Sequence, residues 1–294
     1  MMINIGLIDV DSHNFPNLAL MKISAWHKNQ GDAVEFATMF GKYDLIYKSK
    51  VFSFTSDNEY IYKCDKYIAG GTGYGFTDLW LENKVEHVCP DYQLYNCDQA
   101  YGFLTRGCIR NCSWCIVPEK EGKISAHADI EEFLSNKKSA VLMDNNVLAH
   151  GHGIEQIEKI IKLKIKIDFN QGLDCRLVDN TIAKLLSQVK WIKYIRFSCD
   201  NNSQKKQIEN TVKLLNKYGI PASRIFVYML IDDVQESIER AYFLKSLYVS
   251  PFGQPYRDMK NTPPTWEQKK LARYINIKPA FKTMSFEKFK RLGY

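Results

Sequence analysis

Three cysteines, Cys108, Cys112 and Cys115, stand in the run Thr-Arg-Gly-Cys-Ile-Arg-Asn-Cys-Ser-Trp-Cys-Ile-Val-Pro over residues 105–118. This C-x3-C-x2-C spacing puts three thiolates on one short loop. Thiolates of this kind hold iron–sulfur clusters, and a [4Fe-4S] cluster with three protein ligands keeps one iron open to a bidentate chelate from substrate or cofactor. Structural zinc instead wants four closed ligands, usually as two separated pairs, and the second pair is missing here. A zinc site and uninvolved core thiols are the competing explanations, and a disulfide is the weakest of them.

Trp114 directly precedes the third cysteine, and Cys-Ile-Val-Pro-Glu-Lys-Glu-Gly continues over residues 115–122. Together these features resemble the signature of the radical S-adenosylmethionine (SAM) superfamily. The run after the cluster is similar to the Cys-Val-Val-Pro-x-x-x-Gly of its methylthiotransferase branch. The resemblance implies that Cys108, Cys112 and Cys115 bind the cluster while the methionyl amine and carboxylate of SAM chelate the fourth iron. It places Trp114 beside the adenine. It further implies a one-electron donor such as a flavodoxin or ferredoxin, and a 5'-deoxyadenosyl radical that abstracts hydrogen from a small-molecule or peptide substrate.

The elements that must position these groups alternate strand and helix from residue 100 onward. Strands are expected at Tyr101–Leu104, Ala140–Met143, Ile165–Phe169, Trp191–Ser198, Arg224–Leu230 and Tyr248–Phe252, with helices between them. Six such repeats suit a partial (β/α)6 TIM-type barrel, the usual core of the superfamily, with all strand C-termini on one rim. Catalysis there is a matter of positioning, because the cofactor carries the hard chemistry.

Polar groups at the strand ends are therefore the site candidates. Asp144-Asn145-Asn146 occupies the place where many relatives have a Gly-Gly-Glu turn that bonds the SAM amine. Oxygens of Asp144 or Asn145 could accept from an ammonium, and a polar turn capping a strand is the plainer explanation. After the third strand, Asn170, Gln171, Asp174 and Arg176 crowd one loop. Arg176 could hold the SAM carboxylate by a bidentate pair, with Asn170 and Gln171 facing substrate; an ion pair of Arg176 with Asp174 or Asp144 is the structural alternative. Ser198 ends the fourth strand, where relatives present a hydroxyl or amide to the ribose. Tyr228 to Asp232 ends the fifth, where a hydrophobic residue packs on adenine or simply joins the core. The Asp-Asn-Asn and Phe-Asn-Gln-Gly-Leu-Asp runs also resemble an uncharacterised group within the same neighbourhood.

Residues 1–97 read as a small Rossmann-like α/β domain. An apolar strand at residues 3–9 leads through a turn into a helix over Leu18–Gln30 that stops at Gly31, and later strands are expected at Val34–Ala37, Asp44–Tyr47 and Tyr67 onward. The arrangement is similar to a truncated cobalamin-binding domain. The Asp-Ser-His-Asn-Phe-Pro run around His13 holds part of a cobalt-ligating motif, with Pro16 where the motif ends in Gly, so cobalamin is a weakly supported second cofactor. Gly70 to Gly75 lacks both the Lys-Ser/Thr of a P-loop and the dinucleotide register. Cys64, Cys89 and Cys97 are too widely spaced for an auxiliary cluster and read as ordinary buried thiols.

The whole chain has 294 residues, 45% hydrophobic composition and eight cysteines, which suits a globular protein with a substantial core in a reducing compartment. Neither a membrane span nor a secretory leader is evident, so a cytoplasmic location is expected. The net charge of +7 comes from 31 Lys and 9 Arg against 33 acidic residues, which permits nucleic-acid binding without focusing it. Residues 98–255 form the expected core and 256–294 a basic, aromatic extension. Lys282, Lys288, Lys290 and Arg291 alternate there with Phe281, Phe286 and Phe289, either to stack on RNA or, more simply, to turn the Phe stripe inward. An RNA-modifying enzyme of the same chemistry and a non-catalytic metal-binding interaction protein are the alternatives. Copurifying RNA would favour the first and one bound zinc the second.

Overall fold

The computed structural model describes residues 2–12, 15–57, 60–75, 81–258 and 260–291. The chain divides into two compact units, one of residues 1–102 and 128–140, the other of residues 103–127 and 141–294. No helix among the described residues is long and apolar enough to cross a membrane.

In the first unit the apolar strand β1 (Asn4–Asp9) leads to helix α1 (Leu18–Asn29) and strands β2 (Ala33–Phe36), β3 (Lys42–Ser49) and β4 (Lys63–Gly70); a short helix α2 (Asn83–Glu86) and strand β5 (Ala100–Gly102) follow. Asn17 caps α1 by accepting from the Leu20 amide at 3.2 Å, and the helix ends where Gly31 turns to φ +86°, a conformation that glycine adopts without steric cost. The sheet has order β2-β1-β3-β4 and every pairing is parallel. Ile5 and Leu7 of β1 pack with Leu20 and Ile23 of α1 and with Val85. Only the β1–β2 connection carries a helix, and β2–β3 and β3–β4 are joined without one among the described residues. His13, the candidate cobalt ligand, lies outside the described residues. Cys89 is exposed rather than buried, while Cys64 and Cys97 are intermediate, and all three are free.

The chain then forms β6 (Thr105–Arg106), α3 (Val117–Lys120) and β7 (Ser125–Ala126), returns to the first unit for α4 (Ile130–Leu134), and passes back within β8 (Ser139–Leu142). The remaining order is α5 (Gly151–Leu163), β9 (Lys166–Phe169), α6 (Asn180–Gln188), β10 (Lys190–Trp191), β11 (Ile195–Ser198), α7 (Lys205–Lys217), β12 (Ile225–Ile231), α8 (Val234–Ser246), β13 (Ser250–Pro255), α9 (Trp266–Asn276), α10 (Lys278–Thr283) and α11 (Phe286–Arg291).

Strands β8, β9 and β10 lie side by side, and β11, β12 and β13 form a second parallel sheet. A parallel bridge, Leu173 to Phe197, links the two. The expected strand 191–198 is thus two strands. Trp191 pairs with Ile167 of β9, and Ile195–Ser198 takes β12 as its partner instead. The α/β class with parallel sheets is as expected; the sheets are open, and no closed barrel forms among the described residues.

The two faces of β12 differ. Ile225, Val227, Met229 and Ile231 are fully buried, whereas Phe226, Tyr228 and Leu230 face the other way and stay half-buried, the alternation that a pleated strand imposes. On that second face Arg196 grips Asp168 with Nε and Nη2 at 2.6 and 2.7 Å and donates from Nη1 to the Tyr228 hydroxyl at 3.0 Å. Phe226 stacks on Phe252 at 5.7 Å. The last helices close the unit: Asn276 of α9 exchanges two hydrogen bonds with the Gly253 backbone of β13. Phe281, Phe286 and Phe289 gather round Tyr274 at 5.3–5.5 Å. The Phe stripe of the tail therefore points inward, and its rings offer no stacking surface.

Candidate metal centre

The cysteine loop hangs from a pinned stem. Strands β6 and β7 pair antiparallel, Thr105 with Ala126 and Arg106 with Ser125. Gly107 then turns at φ +80°, and a Cβ there would collide with the Lys123 carbonyl. Only glycine fits such a position. The Gly107 amide donates to Oε2 of Glu121 at 2.9 Å and the Cys108 amide to the Gly122 carbonyl at 3.2 Å. Pro118 lies in the first turn of α3, and Gly122, at φ +72°, ends that turn by donating to the Val117 carbonyl. The Pro and Gly of the 115–122 run thus fold the chain back so that residues 121 and 122 hold the first cysteine.

All three thiols are partly exposed at the tip. The Cys115 amide donates to the Cys112 carbonyl at 3.0 Å. Sγ of Cys108 accepts two N–H groups, the Arg110 amide at 3.3 Å and Nδ2 of Asn146 at 3.4 Å. Burial pushes the Cys112 thiol up, and the Arg176 guanidinium opposes that; burial also raises Cys115, against a backbone donor from Val117. Cys108 and Asp200 lie near enough to raise both thiols further.

The strand-end residues divide by what they hold. Asp174 accepts from Nε of Arg110 at 2.9 Å and from Nε and Nη2 of Arg176 at 2.6 and 3.0 Å. Burial opposes ionisation of Asp174, but the two guanidinium groups hold its carboxyl below the usual range. The ion-pair alternative for Arg176 is therefore the geometry present, and the same carboxylate ties the cysteine loop, through Arg110, to the end of β9. Asn145 donates to Oε2 of Glu121 at 2.9 Å, bracing the stem. Asp144 is sealed away at 1% exposure and accepts from the Leu104 amide, the Thr105 amide and the Thr105 hydroxyl at 2.6–3.1 Å through Oδ1. Burial nevertheless pushes its carboxyl up to about 6. Ser198 ends β11, and burial raises the nearby Asp200 carboxyl against the Leu230 amide and the Ser198 side chain, which favour its ionised form. Gln171 is exposed, and its Nε2 donates to Oδ1 of Asn170 at 3.3 Å. Trp114 is partly exposed on the loop beside Cys115.

Asn146, Arg110 and Glu121 were not singled out by sequence reasoning. Asn146 is 2% exposed, and its Oδ1 is buried without a hydrogen-bond partner, an uncommon state for a buried acceptor. Its Nδ2 also lies 3.4 Å from Oδ2 of Asp174. The one available signal was the Asp-Asn-Asn run itself, which does not say which of its three side chains turns toward the cysteines.

Three thiols on one short loop are donors of the type an iron–sulfur cluster takes. Among the described residues no group of three His, Cys, Asp or Glu side chains is arranged to hold a metal ion. The orphaned Asn146 oxygen adds an acceptor, beside Cys108, for a ligand with N–H groups. No family model matches the chain, and no curated protein matches it.

Proposed function

We propose that the chain is a radical SAM enzyme in which Cys108, Cys112 and Cys115 hold a [4Fe-4S] cluster and the substrate is a small molecule or peptide. The observation that carries this is the pinned loop, with three partly exposed thiols at its tip and a first sulfur that accepts two N–H groups. When bound and reduced by one electron from a flavodoxin- or ferredoxin-like donor, the cluster supplies reductive cleavage of SAM to methionine and a 5'-deoxyadenosyl radical, which takes a hydrogen atom from substrate.

The protein's part is to bind and orient. Gly107, Glu121 and Gly122 fix the stem so that the thiols need little reordering when they bind. Asn146 offers its free Oδ1 to the methionyl ammonium beside Asn145, whose Nδ2 is held by Glu121, while the oxygens of Asp144 hold Leu104 and Thr105. Arg176 keeps the Nη1 edge of its guanidinium for the carboxylate while Asp174 fixes the other edge. Trp114 and Ser198 are assigned to the adenine and ribose. In this reading the two parallel sheets are parts of a partial TIM-type barrel, and the half-buried face of Phe226, Tyr228 and Phe252 is turned toward substrate.

Anaerobic reconstitution with iron and sulfide tests the assignment. The expected product holds about four irons and four sulfides per chain and, once reduced, gives an electron paramagnetic resonance signal that changes on adding SAM. Alanine at any of the three cysteines should abolish that signal. A chain that binds one zinc and assembles no cluster would overturn the proposal.

A further inference from the structure

We infer that Asn146 tunes the reduction potential of the cluster by donating a buried amide N–H to Sγ of Cys108, an inference that rests on the cluster assignment above. The donor–sulfur distance is 3.4 Å and the side chain is 2% exposed, so water does not compete for the sulfur from that side.

The orientation of the amide follows from its neighbours. Nδ2 faces two groups that accept, the ligand sulfur and, at 3.4 Å, Oδ2 of Asp174. Turning the amide over would set Oδ1 against a thiolate and a carboxylate with no proton between them. Asp174 is itself held by Arg110 and Arg176, so one N–H of Asn146 is anchored on an ion-paired carboxylate and the other is aimed at the sulfur. The two residues before it are engaged elsewhere, Asp144 with Thr105 and Asn145 with Glu121.

A hydrogen bond to a ligand sulfur withdraws electron density from the thiolate and favours the reduced cluster, which carries one more electron and no added proton. Two such donors reach Cys108. The Arg110 amide is backbone and belongs to the loop itself, whereas Asn146 comes from the end of β8 and can be removed by substitution. The effect of Asn146 on the cluster is thus read in a potential, separately from the contact of its Oδ1 with SAM.

The test is an anaerobic redox titration of the reconstituted protein, followed by electron paramagnetic resonance, with wild type, Asn146→Leu and Asn146→Ala. Leucine keeps the volume and lacks the donor; alanine reports if leucine is not accommodated. The expected result is an unchanged iron and sulfide content with a midpoint shifted to more negative potential in the variant, and a shifted iron–thiolate stretch by resonance Raman. A variant that holds its cluster at the wild-type midpoint overturns the role of Asn146 and leaves the enzyme assignment standing. Wild type that assembles no cluster overturns both.

Discussion

Each residue of the cysteine loop that matters sits in a conformation or contact that few alternatives satisfy. Gly107→Ala should weaken the site, because alanine at φ +80° costs roughly 1–2 kcal/mol before its Cβ meets the Lys123 carbonyl. The expected outcome is a lower urea midpoint and a reduced iron content after reconstitution, with wild-type values contradicting the pinned-stem account. Glu121→Gln should have a milder effect of the same sign, since the amide keeps one acceptor for Gly107 and loses the charge that faces Arg106. That the three cysteines share one loop was legible in the sequence because it follows from spacing within a few residues. Asn146, Arg110 and Glu121 were not, because their partners lie 14 to 64 positions away and depend on how the strand ends align. Asp144 shows the same limit from the other side: a carboxylate at a ligand-binding position in the pattern instead braces the corner at Leu104 and Thr105.

Among the elements, two predictions concern the strands that carry the site. Burial raises Asp144 from 3.8 to about 6, so between about pH 4 and pH 6 the native state holds a proton that the unfolded chain has released. Stability from this group is full below pH 4 and is lost as pH rises through the folded value. The loss is on the order of 3 kcal/mol. Unfolding of wild type and Asp144→Asn across that range should show wild type losing ground to the variant as pH rises; a constant difference would mean that Asp144 does not titrate there. The second prediction concerns the Arg196–Asp168 pair, whose side chains are 20% and 11% exposed. Arg196→Met should cost about 2–4 kcal/mol in urea unfolding, since it strands a largely buried carboxylate and removes the donor to Tyr228. An effect below about 1 kcal/mol, as for a surface pair, would contradict this. Strands β9, β12 and α1 were legible from apolar runs and end signals. The break between β10 and β11 was not, because an unbroken apolar pattern does not record a change of partner strand.

For the whole molecule, the tail is part of the second unit's core rather than an appendage. Phe289→Ala should lower stability by about 3 kcal/mol, since a fully buried ring against Tyr274 is replaced by a cavity; a change within 0.5 kcal/mol, the range of surface substitutions, would contradict the packing. The apolar spacing of the tail allowed either an RNA-stacking surface or an inward stripe, and only the position of Tyr274 on α9 distinguishes them. The α/β class and parallel pairing were likewise legible from strand–helix alternation, while sheet closure was not, because it depends on partners at the two ends rather than on any local pattern. The central claim, that three cysteines hold a cluster able to cleave SAM, is tested most directly by incubating the reconstituted, dithionite-reduced protein with SAM under anaerobic conditions and measuring 5'-deoxyadenosine. The account predicts 5'-deoxyadenosine and methionine in equal amounts from wild type and none from Cys112→Ala. A full cluster complement that yields no 5'-deoxyadenosine above the Cys112→Ala background, with or without candidate substrates, would contradict it.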